Sequence, residues 1–318
     1  MDALRDLRAG FDTLAGNLDR FDGQSLRPQV GRSIIAIAQL LTLTLTTWPN
    51  LTADVLGRSP EMYCAGPRSI SLFCLGSSAP SETGRWIAIA VCVLVLSGIY
   101  PRWTSVLHLW VAISMAVSLS LPDGGEAVAV FSCALLIGVL VPNGQMIAWR
   151  RPTSMAHPVA TAVGYAASIA LCLQMAGIYF ESGLAKLAVE DWSNGSAMYY
   201  IVRDPMFGSV GAVGAVMDAI TALPLGTAVL TWGTVVAECS IAVAFLLPHR
   251  FKRYGLAGVI VLHAGIAIIM GLWSFALVMI GTAVVASYDL RPADEGRSNS
   301  TPVRVVQERS TAWSSGQR

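Results

Sequence analysis

The apolar residues of this sequence form long, almost unbroken runs that are separated by short polar segments. The longest uncharged run extends from Tyr254 to Tyr288, and apart from tyrosines its one ionisable side chain is His263. A single helix of that length, at ~1.5 Å per residue, would be much longer than the ~30 Å hydrocarbon core of a bilayer. The run therefore predicts two membrane-spanning helices with a turn near "GLWS".

The same pattern along the rest of the chain predicts an all-α protein, a polytopic integral membrane bundle of about eight transmembrane helices. The predicted spans are residues 33–48, 86–100, 103–121, 127–142, 158–180, 224–247, 255–270 and 273–288. The second and fourth spans are short for a complete crossing, so their boundaries are the least well defined.

Two segments between the spans, residues 49–85 and 181–223, are long enough to form structure outside the membrane core. In the second, the stretch "MFGSVGAVGAVM" is too short to cross a bilayer and predicts a surface or re-entrant piece. Residues 27–290 as a whole form the predicted transmembrane domain. Beyond them, residues 291–318 are rich in Ser, Arg and Gln and predict a disordered cytoplasmic tail.

Before the first span, residues 1–26 carry apolar side chains at steps of three and four, the pattern of an amphipathic helix. These side chains are Leu4, Leu7, Phe11, Leu14, Leu18 and Phe21. Such a helix either lies along the inner membrane surface or packs on the protein's own cytoplasmic loops.

Composition agrees with a membrane protein, and charge indicates its orientation. Hydrophobic residues make up 54% of the chain and charged residues 13%, about half the charge of an average soluble domain. With the N-terminus inside, 16 of the 21 Lys and Arg residues fall in cytoplasmic segments, where membrane proteins carry their excess of basic residues. Both termini are therefore predicted to be cytoplasmic, with residues 49–85 and 181–223 outside. The net charge of +1 gives no indication of nucleic-acid binding.

Of the six cysteines, four lie inside predicted spans and fit small buried hydrophobic residues. Cys64 and Cys74 instead share the first outer segment, in "YCAGPRSISLFC", on the side of the membrane where disulfides persist. A structural disulfide there would stabilise the fold by about 2–3 kcal/mol, by restricting the unfolded chain. A redox-active pair is the alternative, although the spacing differs from the CxxC of thiol oxidoreductases.

A single lysine in the second outer segment lies among small and apolar residues, in "YFESGLAKLAVEDWSNGSAMYY". If the fifth span continues as a helix, Lys186 shares one face with Tyr179, Ser182, Gly183 and Glu190. Lys186 then has two possible settings. It either lies at a helix end, with its stem in lipid and its ammonium paired with Glu190, or it packs between helices. Packing would favour the neutral amine, which accepts a proton near neutral pH.

Two further ionisable residues lie deep in predicted spans. Glu238 stands within "WGTVVAECSIAVAF", where a carboxylate must face a cavity or a partner, or stay protonated. His263 lies at similar depth in the next span, so the two are candidates for a pair, either in a site or as a hydrogen bond between helices. His108, nearer the cytoplasmic end, is expected to be structural. No motif for a metal, a nucleotide or serine hydrolysis is present, so neither a metal nor a nucleotide is predicted.

The stretch around Lys186 resembles the signature of the HTTM (horizontally transferred transmembrane) superfamily, which includes the vitamin K-dependent gamma-glutamyl carboxylases. The matching residues are Tyr179, Phe180, Gly183, Lys186, Leu187, Asp191, Trp192 and Gly195. The resemblance implies that Lys186 is a base that deprotonates a reduced quinone, such as menaquinone or a vitamin K-like molecule. A later pattern of a Glu, the basic turn "LPHRFKR", a His and "WSF" is also similar, and it adds Glu238, His263 and Phe275.

The chain as a whole looks most like the bacterial sporulation-delaying protein B family, in its size, its two-cysteine outer loop and its "AQLLTLTLT" first span. In that family a membrane protein acts with a smaller partner to mature a secreted antimicrobial peptide toxin. The resemblance implies a multi-pass protein of the bacterial cytoplasmic membrane with an extracytoplasmic functional face. Its implied partners are a peptide toxin precursor and a small membrane-associated protein similar to the sporulation-delaying protein A family. The sequence has no counterpart of the carboxylases' large lumenal domain, so Glu carboxylation does not carry over.

The sequence thus predicts three catalytic residues, Lys186, Glu238 and His263. It predicts a substrate or cofactor pocket lined by Tyr179, Gly183, Glu190, Trp192 and Phe275. The predicted function is that of a membrane enzyme, or an essential enzyme subunit, that modifies an exported peptide toxin. The alternatives are a non-catalytic scaffold or toxin-binding immunity protein, and a transporter, which the lack of repeated halves disfavours.

Overall fold

In a computed structural model of the protein, residues 5, 13–52, 64–76, 80–119, 124–150 and 156–291 are described. Every regular element in these residues is helical, as predicted. Eight long helices form the bundle: α1 (Arg27–Leu45), α2 (Glu82–Ser97), α3 (Pro101–Ser118), α4 (Gly125–Leu140), α5 (Pro158–Leu187), α6 (Pro224–Leu246), α7 (His249–Met270) and α8 (Trp273–Ala286).

Each long helix overlaps one of the eight predicted spans. Within the described residues, three helices (α5, α6 and α7) are long and apolar enough to cross a membrane, and α4 and α8 are shorter apolar helices. The eight-span topology and the cytoplasmic location of both termini stay predictions.

Helix caps set the boundaries that hydrophobicity alone located only roughly. Helices α3, α5 and α6 begin at a proline, which fits a first turn because its missing N–H would have no partner there. Helices α2 and α7 are followed by Gly98 and Gly271, whose positive φ angles of 73° and 72° suit a residue without a Cβ atom. Polar first turns, such as those at Arg27 and His249, are helical but lie outside the apolar runs.

Helix α1 packs most extensively against α8, the last helix of the bundle. A Cβ atom added to Gly31 would lie 2.5 Å from the carbonyl oxygen of Gly281, and one added to Gly281 would lie 2.7 Å from that of Gly31. The two backbones therefore touch, in the close approach that small residues allow between membrane helices. An ion pair between Arg27 and Asp289 joins the start of α1 to the residues after α8.

The described residues of the predicted outer segment 49–85 pack against the bundle. A helical turn at Trp48–Leu51 follows α1, and Gly66–Ile70 and Leu72–Cys74 form two 3-10 turns. The second of these turns is buried and belongs to a core cluster with side chains of α1, α2 and α3.

Cys64 and Cys74 form a disulfide, as predicted, with their Cα atoms 5.5 Å apart. The neighbours of Cys74, Leu72 and Phe73, are buried in the same core cluster. The backbone N–H of Leu72 also donates to the hydroxyl of Ser114 on α3 at 3.0 Å. The disulfide thus closes a short loop whose second end is anchored in the bundle, and this favours the structural role over the redox role.

The predicted outer segment 181–223 is largely helical and packs along α6. Helix α5 continues to Leu187, and three short helices follow: Glu190–Ser193, Ala197–Ile201 and Gly211–Thr221. A Cβ atom added to Gly195 would lie 3.1 Å from the indole nitrogen of Trp232 on α6. The backbone N–H of Met198 donates to Thr231 of α6 at 3.1 Å. Hydropathy did not predict this packing because it depends on backbone contacts.

At the N-terminal side, residues 13–20 are helical, whereas residues 21–26 are not, so the predicted helix 1–26 extends too far. The physical reason is a turn at Asp22, whose carboxylate accepts a hydrogen bond from the backbone N–H of Gln24. Phe21, assigned to the apolar helix face, is buried beside Tyr165 and Tyr288. Leu4, Leu7 and Phe11, and the predicted tail after Arg291, lie outside the described residues.

Candidate functional site

Helix α5 carries three of the site's polar side chains near its C-terminal end. Tyr179, Ser182 and Lys186 share one face, because steps of three and four residues return to the same side of a helix. Lys186 is the penultimate residue of α5, where its positive charge also suits the negative end of the helix dipole. Glu238, by contrast, lies well inside α6, so α5 ends against the interior of its neighbour.

Lys186 and Glu238 form an ion pair between α5 and α6. The Nζ atom of Lys186 lies 2.8 Å from each carboxylate oxygen of Glu238 and 2.7 Å from the hydroxyl oxygen of Ser182. Ser182 in turn donates to Oε1 of Glu238 at 3.2 Å, so the three side chains form one closed hydrogen-bonded group. The side chains of Lys186 and Glu238 are 20% and 8% exposed. Removing either partner alone would leave a largely buried charge, which is costly.

Tyr179 and His263 form the second polar contact of the site. The hydroxyl oxygen of Tyr179 lies 2.7 Å from Nε2 of His263 on α7. The imidazole also meets the ring of Phe275 on α8 edge to face, with 5.1 Å between ring centroids. Tyr179 and His263 are each 2% exposed. The Nδ1 atom of His263 is buried and has no hydrogen-bond partner among the described residues.

Both polar contacts lie on the wall of one cavity of about 570 Å³. Helices α5, α6, α7 and α8 and the short helices after α5 form its walls, and most lining side chains are aliphatic or aromatic. The polar lining residues are Tyr179, Ser182, Lys186, Thr234, Glu238 and His263. An apolar cavity of this size with a few converging polar groups is typical of a small-molecule site.

Trp192 and Phe275, two of the residues expected to line a substrate or cofactor pocket, both lie on the wall of this cavity. The Nζ atom of Lys186 lies 5.2 Å from the ring centroid of Trp192, within the range of a cation–π contact. The first short helix after α5 thereby adds an aromatic wall next to the ion pair.

Two residues predicted to line the pocket, Gly183 and Glu190, are not on the cavity wall. Because α5 ends at Leu187, the helical spacing that placed Glu190 beside Lys186 does not continue, and Glu190 is exposed at the start of a separate short helix. Gly183 is buried against α6, where an added Cβ atom would lie 3.0 Å from the sulfur of Cys239. Its small size therefore serves the contact between α5 and α6.

The suggested pair of Glu238 with His263 is also not formed. Each of these residues bonds a different side chain of α5, since Glu238 pairs with Lys186 and His263 with Tyr179. The predicted site omitted Ser182, which connects Lys186 and Glu238. Its position four residues before Lys186, on the same helix face, was the signal that pointed to it.

A second group of buried polar side chains lies away from the cavity wall. Arg32 is fully buried on α1 and donates to the side chains of Gln29 and Thr104. The Nε2 atom of His108 lies 2.9 Å from the side-chain oxygen of Gln39, which fits a role in helix packing. Within the part of the chain that the structure describes, no group of three His, Cys, Asp or Glu side chains is placed to hold a metal ion.

The fold and the site define a helical membrane protein with a shielded ion pair on the wall of an apolar cavity. The chain is 32% identical over 259 residues to the uncharacterized protein YitO of Bacillus subtilis (strain 168), over 80% of this chain and 83% of YitO. The chain therefore belongs to the YitO family. It is also 25% identical over 280 residues to the sporulation-delaying protein SdpB of the same strain, over 86% of this chain and 85% of SdpB. No family model and no solved structure matches the sequence.

The similarity to SdpB confirms the predicted relationship to the sporulation-delaying protein B family. The wider likeness to the HTTM superfamily and to the vitamin K-dependent carboxylases stays a prediction, because neither relative bears on it.

Proposed function

We propose that this chain is a membrane enzyme, or an essential subunit of one, that matures an exported antimicrobial peptide toxin. SdpB, to which the chain is similar along most of its length, is by name a sporulation-delaying protein, and we extend a role in such a system to this chain. The observation that carries the proposal is the Lys186–Glu238 ion pair on the cavity wall. Ionisable residues within membrane helices that face a cavity mark sites of function.

The ion pair supports general acid–base catalysis. The Nζ atom of Lys186 lies 2.8 Å from each carboxylate oxygen of Glu238, so a proton can pass directly between the two groups. In an apolar cavity, transfer of this proton to Glu238 gives a neutral amine, which avoids the cost of keeping two charges out of water. The amine of Lys186 then takes a proton from a substrate group, leaving an ammonium and a protonated carboxyl group. Ser182 holds the reacting nitrogen and oxygen together through its two hydrogen bonds.

A reduced quinone is the cofactor that we propose for this site. The residues present fit such a group, because most of the wall is apolar and the amine of Lys186 is a hydrogen-bond donor on it. Trp192 and Phe275 add aromatic surface. When bound, a reduced quinone supplies two electrons for the modification of a substrate.

The proposed substrate is the precursor of an exported peptide, and the proposed partner is a small membrane-associated protein similar to the sporulation-delaying protein A family. Both would meet the chain on the extracytoplasmic face of the bacterial cytoplasmic membrane, since 16 of 21 basic residues lie in the segments assigned to the inside. Between α5 and α6, exposed apolar side chains such as Tyr200, Met206 and Val210 offer contact surface for a peptide or for the bilayer.

A non-catalytic scaffold or toxin-binding immunity protein is the second candidate. The ion pair also favours this function, because it joins α5 to α6 and satisfies both charges without any ligand. In that case Lys186 and Glu238 hold two helices together, and the cavity binds a partner without chemistry.

Replacement of Lys186 by arginine separates the two candidates. Arginine keeps the positive charge that pairs with Glu238 but cannot lose its proton near neutral pH. For an enzyme, we expect maturation, measured by mass spectrometry of the exported peptide, to fall by about a hundredfold or more. Lys252→Arg is the matched control, since Lys252 is buried, donates to the carbonyl of Phe245 at 2.7 Å and lies off the cavity wall. Normal maturation by Lys186→Arg at a normal protein level would refute the catalytic lysine.

A further inference from the structure

We propose that two loops at one end of the bundle form a docking surface for anionic lipid head groups. The loops are residues 98–103, at the turn from α2 into α3, and residues 144–150, after α4. Together they form the basic–aromatic platform, a paired stretch of backbone with exposed aromatic side chains and two exposed arginines. None of these residues lines the cavity, so the platform is independent of the function proposed above.

Backbone hydrogen bonds hold the two loops of the platform together. Tyr100 donates its N–H to the carbonyl of Met146 at 2.8 Å, and Ala148 donates to the carbonyl of Gly98 at 2.9 Å. These bonds flank an antiparallel bridge between the two loops. The platform therefore has a defined shape, set by the pairing of one loop with the other.

Side chains on both loops strengthen this pairing. The indole N–H of Trp149 donates to the carbonyl of Leu96, near the end of α2, at 2.9 Å. The indole ring lies against Gly98, where an added Cβ atom would be 2.6 Å from a ring carbon. Gly98 thus gives the chain both a left-handed turn and the space for this ring. The guanidinium group of Arg102 lies over the other loop, 3.6 Å from the position of a Cβ atom on Gly144.

Two arginines give the platform its charge. Arg102 and Arg150 are exposed, and the two loops contain no Asp or Glu. Within the described part of the chain, neither guanidinium group takes part in an ion pair. Guanidinium groups bind phosphate oxygens through charged hydrogen bonds, so a phosphate-bearing anion is the complement of this surface.

The exposed apolar side chains beside the arginines favour a lipid over a free anion. Trp103 is 74% exposed and Met146 is 65% exposed, and Tyr100 and Trp149 are exposed as well. Tryptophan and tyrosine rings are enriched at the level of the lipid head groups. Helix α2 ends and α3 begins at this surface, and both overlap predicted spans. A lipid phosphate reaches the arginines while its acyl chains meet the apolar side chains, whereas a free phosphate ion makes only the first contact.

Native mass spectrometry of the full-length protein in mild detergent tests the proposal. The protein is mixed with equal amounts of phosphatidylglycerol and phosphatidylcholine that have the same acyl chains. We expect the wild type to prefer phosphatidylglycerol and Arg102→Gln/Arg150→Gln to lose about tenfold or more of that preference. The reason is that each basic side chain near an anionic surface favours binding about fivefold. No preference in the wild type, or displacement of the lipid by inorganic phosphate, would overturn the proposal.

The double variant Arg250→Gln/Arg253→Gln is the matched control. It removes the same charge from the turn between α6 and α7, where both arginines are exposed. There each guanidinium group already lies on the ring of its neighbour, 4.8 Å from the centroid of Phe251 or Tyr254. We expect this variant to keep most of the wild-type preference. An equal loss in both double variants would mean that net charge alone attracts the lipid, and the platform would have no part in it.

A second pair of variants changes the shape of the platform and keeps its charge. Gly98→Ala strains a left-handed residue and displaces Trp149, and with it the loop that carries Arg150. Gly124→Ala imposes the same kind of strain, at a φ angle of 89°, but its Cβ atom meets nothing within 4 Å among the described residues. We expect Gly98→Ala to lower the preference about fivefold, the effect of losing one arginine, and Gly124→Ala to leave it unchanged. A Gly98→Ala protein that unfolds cooperatively on heating and keeps its full preference would contradict the role of the paired loops.

Discussion

The ion pair between α5 and α6 allows a quantitative test by a double-mutant cycle. Lys186→Met would leave the carboxylate of Glu238, 8% exposed, with Ser182 as its remaining hydrogen-bond partner in the site. Truncating one partner of a buried pair costs about 3–5 kcal/mol. We expect about 3 kcal/mol for Lys186→Met, because the lysine side chain is 20% exposed and water reaches the pair from its side. Glu238→Leu should cost about 1–2 kcal/mol, since the freed ammonium lies near a helix end and turns toward water.

The double variant Lys186→Met/Glu238→Leu should recover most of that loss, because two apolar side chains replace two charges and nothing buried is left unpaired. Thermal unfolding in detergent measures the cycle, and about 3 kcal/mol corresponds to a shift of about 4–5 °C in Tm for a chain of 318 residues. A double variant as unstable as Lys186→Met would refute the pairing energy that we infer. The double variant also distinguishes the enzyme from the scaffold. A folded scaffold should still support maturation of the peptide, whereas an enzyme without its acid–base pair should not.

Two further predictions concern the outer segments. Replacing both Cys64 and Cys74 with alanine should lower the free energy of unfolding by about 2–3 kcal/mol while leaving maturation intact at low temperature, and a folded but inactive variant would instead indicate a redox role. Single cysteines at the exposed positions Ser69 and Ser193 should react with a membrane-impermeant maleimide on intact cells, in a protein that keeps its disulfide and lacks its four free cysteines. Protection of both until lysis would contradict the orientation derived from basic residues.

The sequence identified the helices because each apolar run exceeds what a loop tolerates, and it placed Tyr179, Ser182 and Lys186 together because local spacing determines a helix face. The partner of Lys186 was not predictable in the same way. It depends on α5 ending at Leu187, which removes Glu190 from the face, and on the packing of α5 against α6, where the bonded residues are 52 positions apart in the chain.

The pairing of Tyr179 with His263, 84 positions apart, also depends on how three helices pack. Glu238 and His263 were correctly noticed as ionisable residues in apolar spans, but depth alone suggested that they pair with each other. The outer segment 181–223 was expected to form structure outside the membrane core, but its composition gave no indication that its backbone packs along α6.

The contact between α1 and α8 also determines the order in which the molecule is completed. Among the long helices, α1 is synthesised first and α8 last, so the surface of α1 around Gly31 has no partner until α8 has been made. The entropic cost of closing so long a loop is therefore offset by the contact between α1 and α8 only late in synthesis. A chain cut short before Trp273 therefore keeps the helices α1 to α7 but leaves the backbone surface around Gly31 without the helix that packs on it.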